Sequence, residues 1–478
     1  MRVIEHIRAF ADAQPEHPAL IVGGQEEDNA RDVAVSYSEL MAHIDGQARG
    51  LCEAGLQPGD RCGIRGKGGP RFIETALAVL SADACMVPIP HDTSGAALET
   101  FTQQARLHAL LDEDKDFALQ PFGSVPDVDG RGDQAYRELE PAYLRYTSGT
   151  THERKGVILG AQAIDARLDA ANRALEISSR DRILWLLPMA HHFVVSILLY
   201  LRHGATILLP TSPLARPILA FAERASATVL YASPNHYSQL ARDTSEHQLE
   251  NTRLAISTAT GLRASVAEAF RERFGFPVVQ ALGIIEVGLP VINVASAVAK
   301  PTALGRPLPD YEVLLIDEHG KLVPRGESGE LCIRGPGLFD AYLDPWTPAC
   351  ELTAEFGFRT GDQGRFDADG DLCLEGRRAN RISMAGMKFF AEEVEDVIDS
   401  HPAVRESRVR ALAHEQLGEI PIAEVVAVDP EKPPEKRELV RFCRDRLPSY
   451  KIPRRFEIVS DLPRTETGKI RRWGDAED

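Results

Sequence analysis

The first hundred residues alternate between two hydrophobic patterns. Apolar residues at helical spacing follow Tyr37, whereas short apolar runs bounded by Gly and Pro are typical of strands. The pattern predicts, in order, a helix with an apolar face (Leu40, Ile44, Ala48 and Leu51), a turn at 55–60, a strand at 62–64, a helix at 71–82 and a strand at 86–90. This strand–helix–strand order predicts a mostly parallel sheet.

The same alternation continues beyond residue 140. Short strands are predicted at 143–146 and 157–159, and the next helix has an apolar face formed by Ile164, Leu168, Ala171 and Leu175. Four apolar segments then predict buried strands with their turns, at 182–187, 228–234, 254–262 and 278–286. The pattern therefore indicates a large α/β fold.

The pattern changes near residue 367. Asp367-Ala368-Asp369-Gly370-Asp371 is typical of a hairpin turn, and residues 376–381 form a charged connector. Beyond the connector, helices are predicted within 389–400 and at 439–447, among alternating strands. A chain of 478 residues is too long for one ordinary core, so we expect two or more domains, with a small α+β unit at the C-terminal end.

Composition narrows the class of protein. Hydrophobic and charged contents of 44% and 26% are ordinary for a soluble enzyme, and a net charge of -17 argues against a nucleic-acid binder. Seven cysteines without a Cys-x-x-Cys pair support neither a disulfide framework nor a zinc site. The N-terminus lacks the apolar core of a signal peptide, and the longest apolar run, 193–201, is too short to span a bilayer. We therefore expect a cytoplasmic protein with no membrane span.

The segment 146–156 concentrates hydroxyls, glycine and lysine between two predicted strands. Such a segment can direct N–H groups and hydroxyls toward an oxyanion, and a lysine adds a charge for phosphate. Its candidate ligand-binding residues are Thr147, Ser148, Gly149, Thr150, Thr151 and Lys155. A Walker loop would lead into a helix and carry Gly-Lys-Ser/Thr, so this would be a different phosphate loop. The alternative is a polar surface turn without a ligand.

Further candidate residues follow the predicted strands. His191 and His192 come after the strand at 182–187, where a pocket wall, a metal ligand pair or a purely structural role are all open. The small residues Thr258, Ala259 and Thr260 allow close approach by a flat ligand. Glu286 follows an apolar strand and could hold a divalent ion, although an isolated glutamate at such a place is usually only solvated.

An ordered set of motifs resembles the adenylate-forming superfamily of acyl-CoA synthetases, luciferases and peptide-synthetase adenylation domains. The set spans nearly the whole chain and comprises Thr147-Ser148-Gly149-Thr150-Thr151 with Lys155-Gly156, Gly329-Glu330-Leu331, Gly335-Pro336-Gly337, Arg359-Thr360-Gly361-Asp362, Gly376-Arg377, Gly386, and Pro463 with Gly468-Lys469. The resemblance implies a large N-terminal domain (1–377) of two α/β sheets plus a distorted β-barrel. A small mobile α+β C-terminal domain (378–478) would follow, hinged at Ala379.

The resemblance also implies roles for individual residues. The Thr147–Lys155 loop would hold the ATP phosphates, Glu286 would bind magnesium, and Lys469 would bridge the substrate carboxylate and the α-phosphate. Asp362 and Arg377 would contact the ribose and phosphate, and Gly386 would lie beside the pantetheine tunnel. The adenine wall would be formed by Thr258, Ala259, Thr260 and Leu282.

The family reaction implied by the resemblance has two steps and uses ATP and Mg2+. A carboxylic acid first becomes an acyl-adenylate with release of pyrophosphate, and a thiol of CoA or of the phosphopantetheine on a separate acyl carrier protein then takes the acyl group. Several positions depart from the family pattern: His152, Arg154, Leu282, Ile285 and Ala379. These departures keep a second hypothesis open, a nucleotide-binding pseudoenzyme with a regulatory role.

The resemblance also bears on the acid. Amino-acid-activating relatives carry an aspartate for the substrate ammonium where the spacing from Pro188 places His192. An imidazole cannot neutralise an ammonium as a carboxylate does. We therefore expect a hydrophobic fatty or aryl acid without an α-amino group, bound in a pocket formed by His191, His192, Phe193, Ser233, Gly283 and Ile284.

Overall fold

The fold was determined as a computed structural model, which describes residues 2–24, 31–123, 125, 127, 133–147, 155–377, 380–414, 416–464 and 470–471. Ser148, Gly149, Thr150, Thr151, Ala379 and Lys469 lie outside these residues, as do His152 and Arg154. Among the described residues, no helix is long and apolar enough to cross a membrane.

The N-terminal part alternates helices and strands as the hydrophobic pattern predicts. Its elements are α1 (Arg2–Ala13), β1 (Pro18–Val22), β2 (Val33–Ser36), α2 (Tyr37–Glu53), β3 (Arg61–Gly66), α3 (Pro70–Ser81), β4 (Cys85–Pro90), α4 (Gly95–Gln104), β5 (Ala109–Asp112), β6 (Leu119–Pro121), α5 (Gln134–Glu138), β7 (Pro141–Tyr146) and β8 (Gly156–Gly160). The start of α2 is fixed by a capping box between Ser36 and Glu39, and Pro70 occupies the first turn of α3, where its missing N–H is not needed.

The middle of the chain continues the alternation. It contains α6 (Ala161–Leu175), β9 (Arg182–Trp185), α7 (Met189–His192), α8 (Leu199–Arg202), β10 (Thr206–Leu209), α9 (Ala215–Arg224), β11 (Val229–Ala232), α10 (Pro234–Arg242), β12 (Leu254–Ser257), α11 (Ala264–Phe274), β13 (Val278–Ile284) and β14 (Gly288–Ile292). The predicted strands at 254–262 and 278–286 are correct in place but end earlier, which leaves Thr258–Thr260 and Glu286 in the turns beyond β12 and β13.

The next segment is mostly antiparallel. Its elements are β15 (Arg306–Pro307), β16 (Glu312–Ile316), β17 (Gly329–Arg334), β18 (Ala341–Tyr342), β19 (Thr347–Pro348), α12 (Ala349–Leu352), β20 (Thr353–Ala354), β21 (Gly357–Phe366) and β22 (Leu372–Arg377). Strands β21 and β22 form the hairpin predicted at Asp367–Asp371, and Gly370 takes the positive φ of +88° that its turn requires.

The C-terminal part has its own sheet. It contains β23 (Arg381–Met384), β24 (Met387–Phe390), α13 (Ala391–Asp399), β25 (Val404–His414), β26 (Gly418–Ala427), α14 (Lys436–Arg444) and β27 (Arg455–Val459). The strands lie in the order β24-β23-β26-β25, with β27 paired to β26. Helices α13 and α14 pack on this sheet around Val394, Ile398 and Leu439, as expected for a small α+β unit.

Two large sheets dominate the rest of the described chain. One has the order β15-β14-β13-β12-β11-β9-β10-β1-β2 and the other β19-β18-β8-β7-β4-β3-β5-β6, while β16, β17, β20, β21 and β22 form a smaller antiparallel sheet. Because side chains alternate across a strand, Ile183 belongs to the core shared by both large sheets and Leu184 to a second core under α9–α11. This architecture confirms the predicted fold class.

Candidate active site

Glu286 lies in the turn between β13 and β14, at the carboxyl edge of the nine-stranded sheet. Its Oε1 accepts a hydrogen bond from the hydroxyl of Tyr342 at 3.1 Å. Tyr342 belongs to β18, which pairs with β8 of the other large sheet, so this contact joins the edges of the two sheets. Burial and the adjacent Glu286 raise the pKa of Tyr342, which therefore remains protonated and donates.

Lys155 also contacts Tyr342. Its Nζ lies 4.7 Å from the centroid of the Tyr342 ring, in cation–π geometry. The N–H of Thr147 donates to the carbonyl of Lys155 at 2.9 Å, so the two described ends of the phosphate loop are closed on each other. A cation and a carboxylate thus share one tyrosine at the mouth of this loop, an arrangement suited to a metal-bound polyphosphate.

Asp362 and Arg377 face each other across the hairpin formed by β21 and β22. They are register partners, and Arg377 Nε lies 3.2 Å from Asp362 Oδ1. Asp362 is 7% exposed, its N–H donates to Thr360 Oγ1, and Arg377 holds its carboxylate. Sequence reasoning named both residues for the ribose and phosphate, and the structure brings them together.

The expected adenine wall follows β12. Ala259 has φ of +78°, and Thr258 is 6% exposed with its N–H bonded to the carbonyl of Ala232. Gly283 lies across from it, because a Cβ built on Gly283 would be 3.7 Å from Thr258 Oγ1. Leu282 is buried and packs into the core between the large sheets. The segment of small residues therefore lies against the end of β13.

The expected acid pocket is only partly assembled from the named residues. The rings of His192 and Tyr231 lie 6.1 Å apart, and Tyr231 stacks on Trp185 at 5.0 Å. Ile284, also expected there, is partly buried beside the core shared by the large sheets. Phe193 differs from the expectation: it is fully buried, and its ring packs on Phe72 of α3. An apolar residue beside a pocket and one behind it look alike in sequence.

Two polar residues of this region, His236 and Arg145, are not predicted from the sequence. The hydroxyl of Ser233 lies 2.8 Å from Nδ1 of His236, one turn along α10, and burial lowers the pKa of His236 so that the ring is neutral near pH 7. Arg145 Nη1 donates to the carbonyl of His191 at 2.5 Å and thereby holds the short helix α7, which carries both histidines. The Ser-x-x-His spacing at a helix start was the available signal for His236.

Gly386 lies in the turn between β23 and β24 with φ of +82°, and no described atom comes within 4 Å of a Cβ built there. Arg464 and Ile470, the described residues on either side of Lys469, form an antiparallel bridge. Arg471 also donates its N–H to the carbonyl of Pro463 at 2.7 Å. The ends of the Lys469 segment are thus held together.

The side chains available to hold a metal ion, Glu286 on one hand and His191 with His192 on the other, fit magnesium better than a transition metal. Among the described residues, no group of three His, Cys, Asp or Glu side chains is arranged to hold a metal ion, which disfavours a metal site built on His191 and His192. Mg2+ is usually held by one or two carboxylates together with substrate phosphates. Glu286, which is partly exposed and shares its contact with Tyr342 with Lys155, provides such a carboxylate.

Comparison with known proteins identifies the family. The family model described as AMP-binding enzyme matches residues 7–343, and its C-terminal domain model matches residues 393–469. The chain is 28% identical over 484 residues to a naringenin synthase of Pestalotiopsis fici, covering 92% of this chain but only 18% of that protein.

A full-length relative is the 2-succinylbenzoate–CoA ligase of Bacillus subtilis, 28% identical over 488 residues, with 97% of this chain and 95% of the relative covered. The solved structure of the Bacillus subtilis O-succinylbenzoate coenzyme A synthetase in complex with AMP matches with a TM-score of 0.83 at 25% identity, covering 98% of both chains. With family models that together match most of its length, the chain belongs to the AMP-binding enzymes, the adenylate-forming superfamily that its motifs resemble.

Proposed function

We propose that this enzyme uses ATP to convert a hydrophobic carboxylic acid, fatty or aryl, into an acyl-adenylate and then transfers the acyl group to a thiol. The observation that carries the proposal is the shared contact of Glu286 and Lys155 with Tyr342 at the closed ends of the Thr147–Lys155 loop. A triphosphate needs a metal-binding carboxylate and a cation at one place, and these residues supply both.

In the first step, a carboxylate oxygen of the acid attacks the α-phosphate in line, and the bond to pyrophosphate breaks. Both reactants are anions, so the barrier falls when preorganised cations and N–H donors neutralise the developing charge. We assign this role to Lys155 and the loop for the leaving phosphates and to Lys469 for the reacting oxygens. Magnesium, when bound through Glu286 and the phosphates, would neutralise further charge. Asp362 accepts hydrogen bonds from the ribose, and Arg377 holds Asp362 in place.

In the second step, the thiol attacks the acyl carbonyl and AMP leaves. We propose that residues 378–478 move about Ala379 between the two steps and bring Gly386 beside the pantetheine of CoA or of a carrier protein. Arg263, before α11, and Asp399, at the end of α13, form an ion pair of 2.5 Å between the large and small parts of the chain. This pair is a contact that such a movement would break.

The residues around the expected pocket support an acid without an ammonium group. Tyr231, Trp185 and His192 contribute aromatic rings, and the ring of His236 is neutral. None of these four residues offers a carboxylate that could pair with an ammonium group. The Bacillus subtilis relative is named for an aryl acid, 2-succinylbenzoate, which agrees with the aryl alternative.

Acid-dependent exchange of pyrophosphate into ATP tests the proposal. The parent enzyme is assayed with a panel of aryl, fatty and α-amino acids, with Glu286→Gln as the control. We expect exchange with an aryl or medium-chain acid and little exchange by the control. An α-amino acid as the best substrate contradicts the pocket assignment. ATP binding without exchange on any acid favours the alternative, a pseudoenzyme.

A further inference from the structure

Arg167 is a fully buried arginine in the middle of α6. It precedes Leu168 and points into the interior, although the hydrophobic pattern of this helix gives no reason for a charge there. Among the described residues, no carboxylate forms an ion pair with its guanidinium. A cation removed from water is costly unless every N–H is satisfied, so its partners indicate why it is there.

The guanidinium donates to three backbone carbonyls. Nη1 bonds to the carbonyl of Ile285 at 2.6 Å, Nη2 to that of Glu286 at 3.1 Å, and Nε to that of Gly337. The first two belong to the turn that carries the proposed magnesium carboxylate. Gly337 belongs to the segment that leads into β18. Arg167 therefore ties together two segments that are far apart in sequence, the turn at 285–286 and the segment at Gly337.

These two segments also provide the direct contacts of Glu286. The N–H of Phe339 donates to the carbonyl of Glu286 at 2.8 Å, and the Tyr342 hydroxyl donates to its side chain. Arg167 thus bonds to the backbone on both sides of the Glu286–Tyr342 contact. A shift of either segment would change the position of the carboxylate.

The backbone leaves room for the stem of Arg167. Gly288 and Gly337 both have positive φ, +109° and +71°. A Cβ on Gly337 would lie 2.5 Å from Arg167 Cγ, and one on Gly288 would lie 3.3 Å from it. Two glycines, one in each segment, therefore permit the close approach of this one side chain.

We propose that Arg167 is a positioning residue that holds Glu286 in the geometry for binding the metal–ATP complex. The proposal rests on the proposed function of Glu286 and concerns a residue that contacts neither the nucleotide nor the metal. A fixed ligand geometry matters for Mg2+, which demands near-ideal octahedral coordination. Hydrogen bonds to the backbone of a ligand residue provide that fixation in the same way that outer partners orient metal ligands.

The test compares Arg167→Met with Arg61→Met, the removal of another fully buried arginine, which lies in β3, bonds to the carbonyl of Arg106 and pairs with Asp133 away from Glu286. ATP binding is titrated by calorimetry without acid substrate, once with Mg2+ and once with EDTA. The measured quantity is the factor by which Mg2+ increases the affinity for ATP. We expect this factor to be about tenfold smaller in Arg167→Met than in the parent, as for other outer partners of metal ligands. ATP affinity in EDTA should stay within about twofold of the parent, and Arg61→Met should retain the full gain.

A second readout separates positioning from folding. Arg167→Lys keeps the charge and the stem, should restore part of the Mg2+-dependent gain, and serves in place of Arg167→Met if that variant fails to fold. In a Glu286→Gln background, Arg167→Met or Arg167→Lys should change the Mg2+ effect on ATP affinity by less than about a further twofold. The carboxylate that Arg167 positions is already absent from that background. Losses that multiply in the double variant, or an unchanged Mg2+ response, overturn the proposal. Absence of exchange in the parent with every acid instead counts against the proposed function alone.

Discussion

Asp362 and Arg377 occupy directly opposed positions on β21 and β22, and their ion pair of 3.2 Å fixes the carboxylate proposed to accept the ribose hydroxyls. Arg377 is half exposed, so removing Asp362 should cost little stability. We expect Asp362→Ala to raise the KM for ATP by about 10- to 100-fold, the range for hydrogen bonds to a charged group. Pyrophosphate exchange at varied ATP measures this change.

A ribose analogue provides the control for Asp362. The parent should use 2′-deoxy-ATP less well than ATP, whereas Asp362→Ala should no longer distinguish the two nucleotides, because the accepting carboxylate is absent in the variant. If Asp362→Ala discriminates as strongly as the parent, the ribose is bound elsewhere.

Tyr342→Phe should weaken the first step without removing the cation–π contact of Lys155. The variant loses the hydrogen bond of 3.1 Å to Glu286 but retains the ring. We expect the Mg2+ concentration for half-maximal exchange to rise by about three- to tenfold, as for one net hydrogen bond. Tyr237→Phe, which loses a buried hydroxyl bonded to Ile256, should lower the melting temperature without changing the Mg2+ dependence. Equal Mg2+ dependence in both variants would contradict the role of Tyr342.

The limits of sequence reasoning are visible in this same group of residues. Glu286 was predicted because it follows an apolar strand and matches a motif, and Lys155 because hydroxyls and glycine precede it. Tyr342 was missed because it lies in a two-residue strand, and its contact spans 56 positions along the chain. Such a contact depends on the pairing of β18 with β8, which local patterns do not encode.

Sequence patterns are misleading for one apolar and one charged buried residue, Phe193 and Arg167. Phe193 was assigned to the pocket, but it packs on Phe72, because an apolar pattern marks burial and not the cavity that a side chain faces. The sequence gives no sign of the burial of Arg167, because a charged residue on a helix is usually solvated. Only the position of the carbonyls of Ile285 and Glu286 in the fold explains its burial.

Gly386→Trp should leave the first step intact and block the second. Gly386 has φ of +82°, which costs a non-glycine residue about 1–2 kcal/mol, but no described atom lies within 4 Å of its Cβ position. The variant should therefore fold. We expect normal pyrophosphate exchange, with thioester formation on CoA or phosphopantetheine lowered by about 10²-fold or more through blocked access. Gly370→Trp, at a turn of similar φ of +88°, is the control, and thioester formation by Gly386→Trp at the parent rate would place the tunnel elsewhere.

Lys469→Ala should nearly abolish adenylate formation. The motif resemblance places this lysine at the reacting oxygens, and loss of one preorganised charge there costs about 10²–10³ in rate. Lys436→Ala, a change of an exposed lysine at the start of α14, is the matched control and should exchange pyrophosphate as the parent does. Near-normal exchange by Lys469→Ala, with a melting temperature equal to that of the parent, would rule out the assignment.

Asp399 should make stability depend on pH between about 4 and 7. Burial, opposed by Arg263 and reinforced by Glu395 and Asp396, raises the pKa of Asp399 to about 7. Because the unfolded pKa is near 4, the folded state retains a proton that the unfolded state releases in this range. The stabilisation by the protonated form is complete below about pH 4 and is lost as the pH rises to about 7.

Asp399→Asn tests this dependence because an amide stays neutral at every pH. We expect the melting temperature of Asp399→Asn, relative to the parent, to increase from pH 5 to about pH 7 and then level off, since the parent alone must bury a charge at the higher pH. Asp45→Asn is the control, because the hydrogen bond from Arg8 lowers the pKa of Asp45, so its contribution is constant over the same range. Parallel pH curves for the parent and Asp399→Asn would show that the carboxylate is already ionised at pH 5. In that case the ion pair with Arg263 would outweigh burial at the contact between the large and small parts of the chain.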